Sequence, residues 1–236
     1  IRIIMSEKVI NLFPLTVYKN SVGLQLEERK KLIDLILIME KESMKNLNEK
    51  KSHLWLGDTN GYENLQLNSQ FSKLFDLIMS NIKRYIELMN IDSDQLNIYI
   101  QRSWATISRG LVNIPSHKHH QSHLSFAYYL KKNEDESEIT FHDSALQNEF
   151  IPRIFSSLSV EKKNIVIKRD ILTSPVVQVV AQEDEIVIFP SKSMHSTQAG
   201  VKNKERISIS ADILFLAKNS SELEHLSPPI ENWKKF

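Results

Sequence analysis

His117 and His119 stand two positions apart, His195 lies far downstream, and Arg206-Ile207-Ser208 opens a late apolar stretch. On a strand, residues i and i+2 share a face, so the first two imidazoles can hold one ion between them. His195 follows the apolar run EIVIFP (185–190) and offers a third nitrogen from a neighbouring strand. Arg206 and Ser208 also share a face, and a guanidinium beside a hydroxyl suits a carboxylate. The pattern describes a metal centre beside an anion clamp. The chain has no cysteine, so thiolate ligands and disulfides are excluded. Nitrogen and oxygen donors then favour iron, manganese, nickel or zinc.

The segment Ser116–Leu130 (SHKHHQSHLSFAYYL) carries four histidines: His117, His119, His120 and His123. Any one of them alone reads as a hydrogen-bonding loop residue; the two-residue spacing is what singles out His117 and His119. His123 would lie about 20 Å from His117 at the rise of a strand, too far to share an ion, and reads as structural. Further on, Ile207, Ile209 and Ala211 alternate with Arg206, Ser208 and Ser210. The polar face of that strand appears as small residues rather than further charges, which leaves space for a ligand.

These residues need a scaffold. Residues 9–18 (VINLFPLTVY) suggest an opening strand broken at its proline. Apolar residues at helical spacing predict one helix from Leu24 to about Asn48 and another from about Gln70 to Met89, with a polar loop over 51–68 between them. After about Asn90 the chain turns to short β-branched and aromatic runs. Strands are expected over 96–108, 122–131, 137–142, 163–169, 175–181, 185–190 and 205–216. The stretch 143–162 reads as an inserted loop with a short helix. The expected architecture is a single domain over 1–236: an N-terminal strand and helices (about 9–92), a β-sandwich or barrel core (about 93–218) and a tail (219–236).

Composition narrows the function classes. A formal net charge of +1 gives no field to gather nucleic acid or an anionic membrane. No apolar run has the length of a membrane span. The opening IRIIMSEK lacks the features of a secretory signal, and Met5 is a candidate natural start, so a cytoplasmic protein is expected.

The motifs resemble those of the Fe(II)- and 2-oxoglutarate-dependent oxygenases, in particular a branch related to the prolyl hydroxylases. That branch reads H-x-H-P-N-S-x-L-S-G-V-Y-Y-L, then I-x-F-x-D-P, then G-x-L-V-L-F-P-S-x-x-x-H and R-I-S-I. This chain has HKHHQSHLSFAYYL (117–130), ITFHDS (139–144), DEIVIFPS (184–191) with His195, and RISI (206–209). LFPLTVY near the start and the run around Trp104 suit the same pattern.

The resemblance implies a mainly β fold, a double-stranded β-helix (jelly roll, cupin-like) with N-terminal helices packed on it. It implies an iron- and 2-oxoglutarate-dependent dioxygenase that hydroxylates its substrate and releases succinate and CO2. His117 and His195 become iron ligands, and Arg206, assisted by Tyr129 and Ser208, pairs with the distal carboxylate of 2-oxoglutarate. Most of the superfamily has H-x-D/E, where this chain has His119. Either His119 ligates, giving a three-histidine site, or Asp143 completes a two-histidine, one-carboxylate set; the spacing of His117 and His119 favours the former. Asp184 replaces a usual glycine, and Phe126 stands where another glycine is usual and would narrow the pocket. Two other readings remain: a three-histidine dioxygenase without a 2-oxoacid, and a non-catalytic jelly-roll binding protein. A small molecule or a peptide is the expected substrate.

Overall fold

The alternation in β10 (Glu205–Ala217) explains the architecture around it. Ile207, Ile209, Ala211 and Ile213 are fully buried on one face. Arg206, Ser208 and Asp212 are almost as buried on the other. A strand covered on both faces needs a layer on each side, and the computed structural model supplies them. It describes residues 9, 11–46, 53–56, 62–134, 138–143, 145, 148–198 and 204–236.

The larger sheet has the order β1-β8-β5-β10-β3-β2, all antiparallel. Its strands are β1 (Tyr18–Ser21), β2 (His53–Trp55), β3 (Leu96–Arg109), β5 (Leu124–Lys131), β8 (Glu185–Pro190) and β10. The smaller sheet has the order β4-β9-β6-β7, formed by β4 (Ile114–His117), β6 (Ile139–His142), β7 (Val176–Val179) and β9 (His195–Thr197). From β3 to β6, and from β7 to β10, successive strands alternate between the two sheets. Two facing sheets wound in this manner make the double-stranded β-helix.

Helices α1 (Leu26–Ser43) and α2 (Ser72–Leu88) cover the outer face of the larger sheet. Leu32, Ile36, Leu74, Ile78 and Ile82 pack there with Ala105, Ile107, Tyr128, Ile186 and Ile209 in one core. Ile36, Ile78 and Ile82 are fully buried, each worth about 1.5–3 kcal/mol relative to exposure. Glu40 of α1 grips Arg109 at the end of β3 through both carboxylate oxygens, at 2.5 and 2.7 Å, fixing helix to sheet. A second core lies between the sheets, where Tyr129, Val187 and Phe189 meet Ile139 and Phe141. No described helix is long and apolar enough to cross a membrane.

Several expected elements shift. The opening strand is confined to Tyr18–Ser21. Phe13 takes a positive φ of 55°, which ends any extended run through the apolar residues before it. Residues 163–169 form no strand: Asn164 turns the chain at φ 52°, and Ile165 and Ile167 are exposed rather than packed in either core. The loop expected over 51–68 contains β2, which pairs with β3. The short helix in the insertion is α3 (Leu158–Lys162). Residues 1–8 lie outside the described residues, and with them the question of Met5.

Asp184, in the place of the usual glycine, has a glycine-like φ of 67°. Its carboxylate accepts from Gly23 N (2.9 Å), Leu24 N (3.2 Å), Ser21 Oγ (3.1 Å) and Tyr128 Oη (2.9 Å). The side chain thereby ties the chain entering α1 to the start of β8, a bond set that glycine cannot make.

Candidate metal centre

Strands β4 and β9 pair with His117 directly opposite His195. Residues directly opposite in an antiparallel pair point to the same face, and here the two rings are 4.3 Å apart between centroids. His119 is already past the end of β4. Strand alternation therefore does not aim it. Its backbone N–H donates to Ser191 O at 2.9 Å, and its ring stacks on Trp104 (6.1 Å, 15°). The outcome is the same convergence: one ring nitrogen from each of His117, His119 and His195 lies within 4.8 Å of the others.

Each ring has its Nδ1 engaged. His117 Nδ1 lies 2.9 Å from Pro115 O, His195 Nδ1 2.9 Å from Ser193 O, and His119 Nδ1 2.6 Å from Asp212 Oδ1. Carbonyls and carboxylates only accept, so each Nδ1 carries the proton and donates, which leaves each Nε2 with a free lone pair. A ligating histidine ordinarily donates its other N–H in this way. The donor set thus fits a nitrogen-binding transition metal such as iron.

His195 is 6% exposed and wedged edge-on against Phe189 at 4.7 Å, with Phe141 beyond. Burial, opposed by the Ser193 carbonyl and reinforced by the other histidines, pushes its pKa down to about 4. At neutral pH it is therefore the neutral imidazole that a metal requires. Asp212 has its pKa lowered; burial alone would raise it, and the hydrogen bonds from His119, Ser122 and Gln121 outweigh that.

A cavity of about 540 Å³ adjoins the three rings. Arg206, Ser208, Ser210 and Asp212, successive residues on one face of β10, line it together with Tyr129. Ser208 pairs with Tyr129 across the β5–β10 ladder at a bulge that skips Leu130, and Leu130 packs in the helix-side core. Burial, offset in part by the positive Arg206, pushes the Tyr129 hydroxyl up to about 12, so it stays protonated. Arg206 is 4% exposed. All six residues expected at the site thus meet in one place. Among the other lining residues, the Arg102 guanidinium lies over Trp55 (5.9 Å) and Trp104 (5.4 Å).

Asp143 lies elsewhere. It is exposed and accepts from Ala145 N at 2.9 Å, outside the histidine cluster. Phe126 borders the cavity and packs in the core against the helices. His123 accepts from Phe215 N at 3.1 Å and stacks on its ring, a structural role. Asp212 escaped the sequence reading, although one more step of the alternation Arg206, Ser208, Ser210 reaches it.

Residues 102–212 match a family model described as "Putative 2OG-Fe(II) oxygenase". Among solved structures, HygX from Streptomyces hygroscopicus with nickel and 2-oxoglutarate bound superposes with a TM-score of 0.55 at 8% identity, covering 84% of this chain and 82% of that one. AviO1 from Streptomyces viridochromogenes gives 0.53 at 10% identity, covering 91% and 92%. A 2OG-Fe(II) oxygenase family oxidoreductase from Burkholderia pseudomallei gives 0.51 at 13%, covering 84% of each. At these identities the likeness establishes the fold. No curated protein matches the chain in sequence. The matched segment, Arg102 to Asp212, is just under half of the chain; it holds all three histidines of the cluster and is similar to the 2OG-Fe(II) oxygenases.

Proposed function

We propose that this protein is an Fe(II)- and 2-oxoglutarate-dependent dioxygenase that hydroxylates a small molecule or an exposed peptide side chain. In this reading His117, His119 and His195 hold the iron on one face. Arg206 pairs with the distal carboxylate of 2-oxoglutarate, and Tyr129 and Ser208 donate hydrogen bonds to it. The observation that carries the proposal is the convergence of three imidazoles whose Nδ1 atoms are all engaged by acceptors.

Bound iron would supply oxygen activation coupled to decarboxylation of 2-oxoglutarate to succinate and CO2. The chain's own residues do the remainder. Arg206 is nearly inaccessible, and a buried guanidinium favours an anionic partner of planar, two-oxygen geometry. Tyr129, protonated because it is buried, adds a donor without adding charge. Phe189 and Phe141 shield the His195 side of the site from water. A cavity of about 540 Å³ suits a cosubstrate plus a compact substrate group.

Anaerobic addition of Fe(II) and 2-oxoglutarate should give the weak visible charge-transfer band of a chelated 2-oxoacid. His117→Ala should abolish it. Absence of the band in the wild-type protein, with iron demonstrably bound, refutes the 2-oxoglutarate assignment.

A further inference from the structure

Asp212 is the one carboxylate lining the cavity among the described residues, and it is 1% exposed. Burying a carboxylate costs several kcal/mol unless hydrogen bonds or opposite charge compensate it. Here Oδ1 accepts from His119 Nδ1 at 2.6 Å and from Ser122 Oγ at 3.2 Å, and Oδ2 accepts from Gln121 Nε2 at 3.0 Å. The three histidines are not alike in this respect: the Nδ1 protons of His117 and His195 go to neutral backbone carbonyls. Only His119 faces a carboxylate. His119 is also the member of the cluster that no strand pairing aims, so Asp212 and the stacked Trp104 are what fix its ring.

We propose that Asp212 is the positioning and charge-compensating partner of the third metal ligand, acting on the metal through His119. This rests on the reading that His119 ligates. Three neutral imidazoles leave the full double charge of a divalent ion in the site. A carboxylate one side chain back returns the negative charge that an H-x-D/E site carries on the ligand itself. Accepting the Nδ1 proton also raises the donor strength of Nε2 and locks the ring in the ligating tautomer.

The test uses the full chain, stripped of metal and titrated with Co(II) by calorimetry and by its visible ligand-field absorption. Asp212→Asn should weaken Co(II) binding about 10–100-fold, the usual effect of losing such a partner. Ser122→Ala, which removes another hydrogen bond to Asp212 but leaves the Asp212–His119 pair, should change affinity less than about threefold. His119→Asp alone should bind poorly, because two carboxylates then crowd one place. His119→Asp combined with Asp212→Asn should recover affinity, so that Asp212→Asn helps in one background and harms in the other. A residue that merely anchored the loop would give no such reversal. Wild-type affinity in Asp212→Asn, or harm of equal size in both backgrounds, overturns the proposal. Retained Co(II) binding in His117→Ala would instead overturn the metal reading itself.

Discussion

Replacing Asp184 isolates what a side chain contributes where the backbone would suit glycine. At φ 67° a non-glycine residue costs about 1–2 kcal/mol, somewhat less for aspartate. Against this stand four hydrogen bonds to the carboxylate. The two to Ser21 and Gly23 are exposed and worth little, whereas those to Leu24 N and Tyr128 Oη are partly buried. Bonds to a charged acceptor contribute about 1.5 kcal/mol or more each when shielded. Tyr128, fully buried, would be left with an unmet hydroxyl. Asp184→Ala keeps the backbone cost and loses every bond, so it should destabilise the fold by about 3–4 kcal/mol. Asp184→Gly loses the same bonds but relieves the backbone, giving about 2 kcal/mol. Asp184→Asn, which keeps one acceptor and tolerates this φ, should fall below both. Urea unfolding at pH 7 with matched slopes reads the three values. Tyr128→Phe should soften the Asp184→Ala effect by about 1 kcal/mol, since the buried hydroxyl is then gone. If Asp184→Gly matches or exceeds the wild type, the carboxylate bonds contribute nothing and the account of this position fails.

Arg206→Lys should weaken 2-oxoglutarate binding at least tenfold while leaving Co(II) affinity within about threefold, because an ammonium cannot reproduce two-point carboxylate pairing; equal binding of 2-oxoglutarate by calorimetry would remove Arg206 from that role. The Glu205 pKa is lowered: burial alone would raise it, and the hydrogen bonds and charges of Lys131 and Arg109 outweigh burial. A carboxylate depressed on folding stabilises above its unfolded pKa, ordinarily 4.5, and that contribution disappears as pH falls through the lower folded value. Glu205→Gln should therefore lower stability by about 1 kcal/mol at pH 6–7, with the gap to wild type closing below about pH 4.5; a gap that stays constant into acid contradicts the linkage.

The face of β10 that meets the cavity shows why the site was only partly legible in the sequence. Arg206 and Ser208 could be placed on one face by period two alone, and the family motifs set the three histidines in order along the chain. The same alternation reaches Asp212, yet a carboxylate there looks solvated until the sheets are folded, because nothing in the sequence announces that β10 is covered on both sides. Strands β4 and β9 were missed for a different reason: at four and three residues they are too short to show a period, although their pairing sets His117 against His195. The false strand at 163–169 is the converse case, a run of β-branched residues that stays exposed outside both sheets. Helical spacing over α1 and α2 was legible because each stripe repeats over four or more turns. Periodicity thus reveals elements long enough to repeat, while the chemistry here depends on short strands and on one buried charge whose partner lies more than ninety residues away in the chain. Where a side chain stands in an unexpected type, as His119 does for a carboxylate, the place to look for the missing charge is the atom on the far side of that side chain.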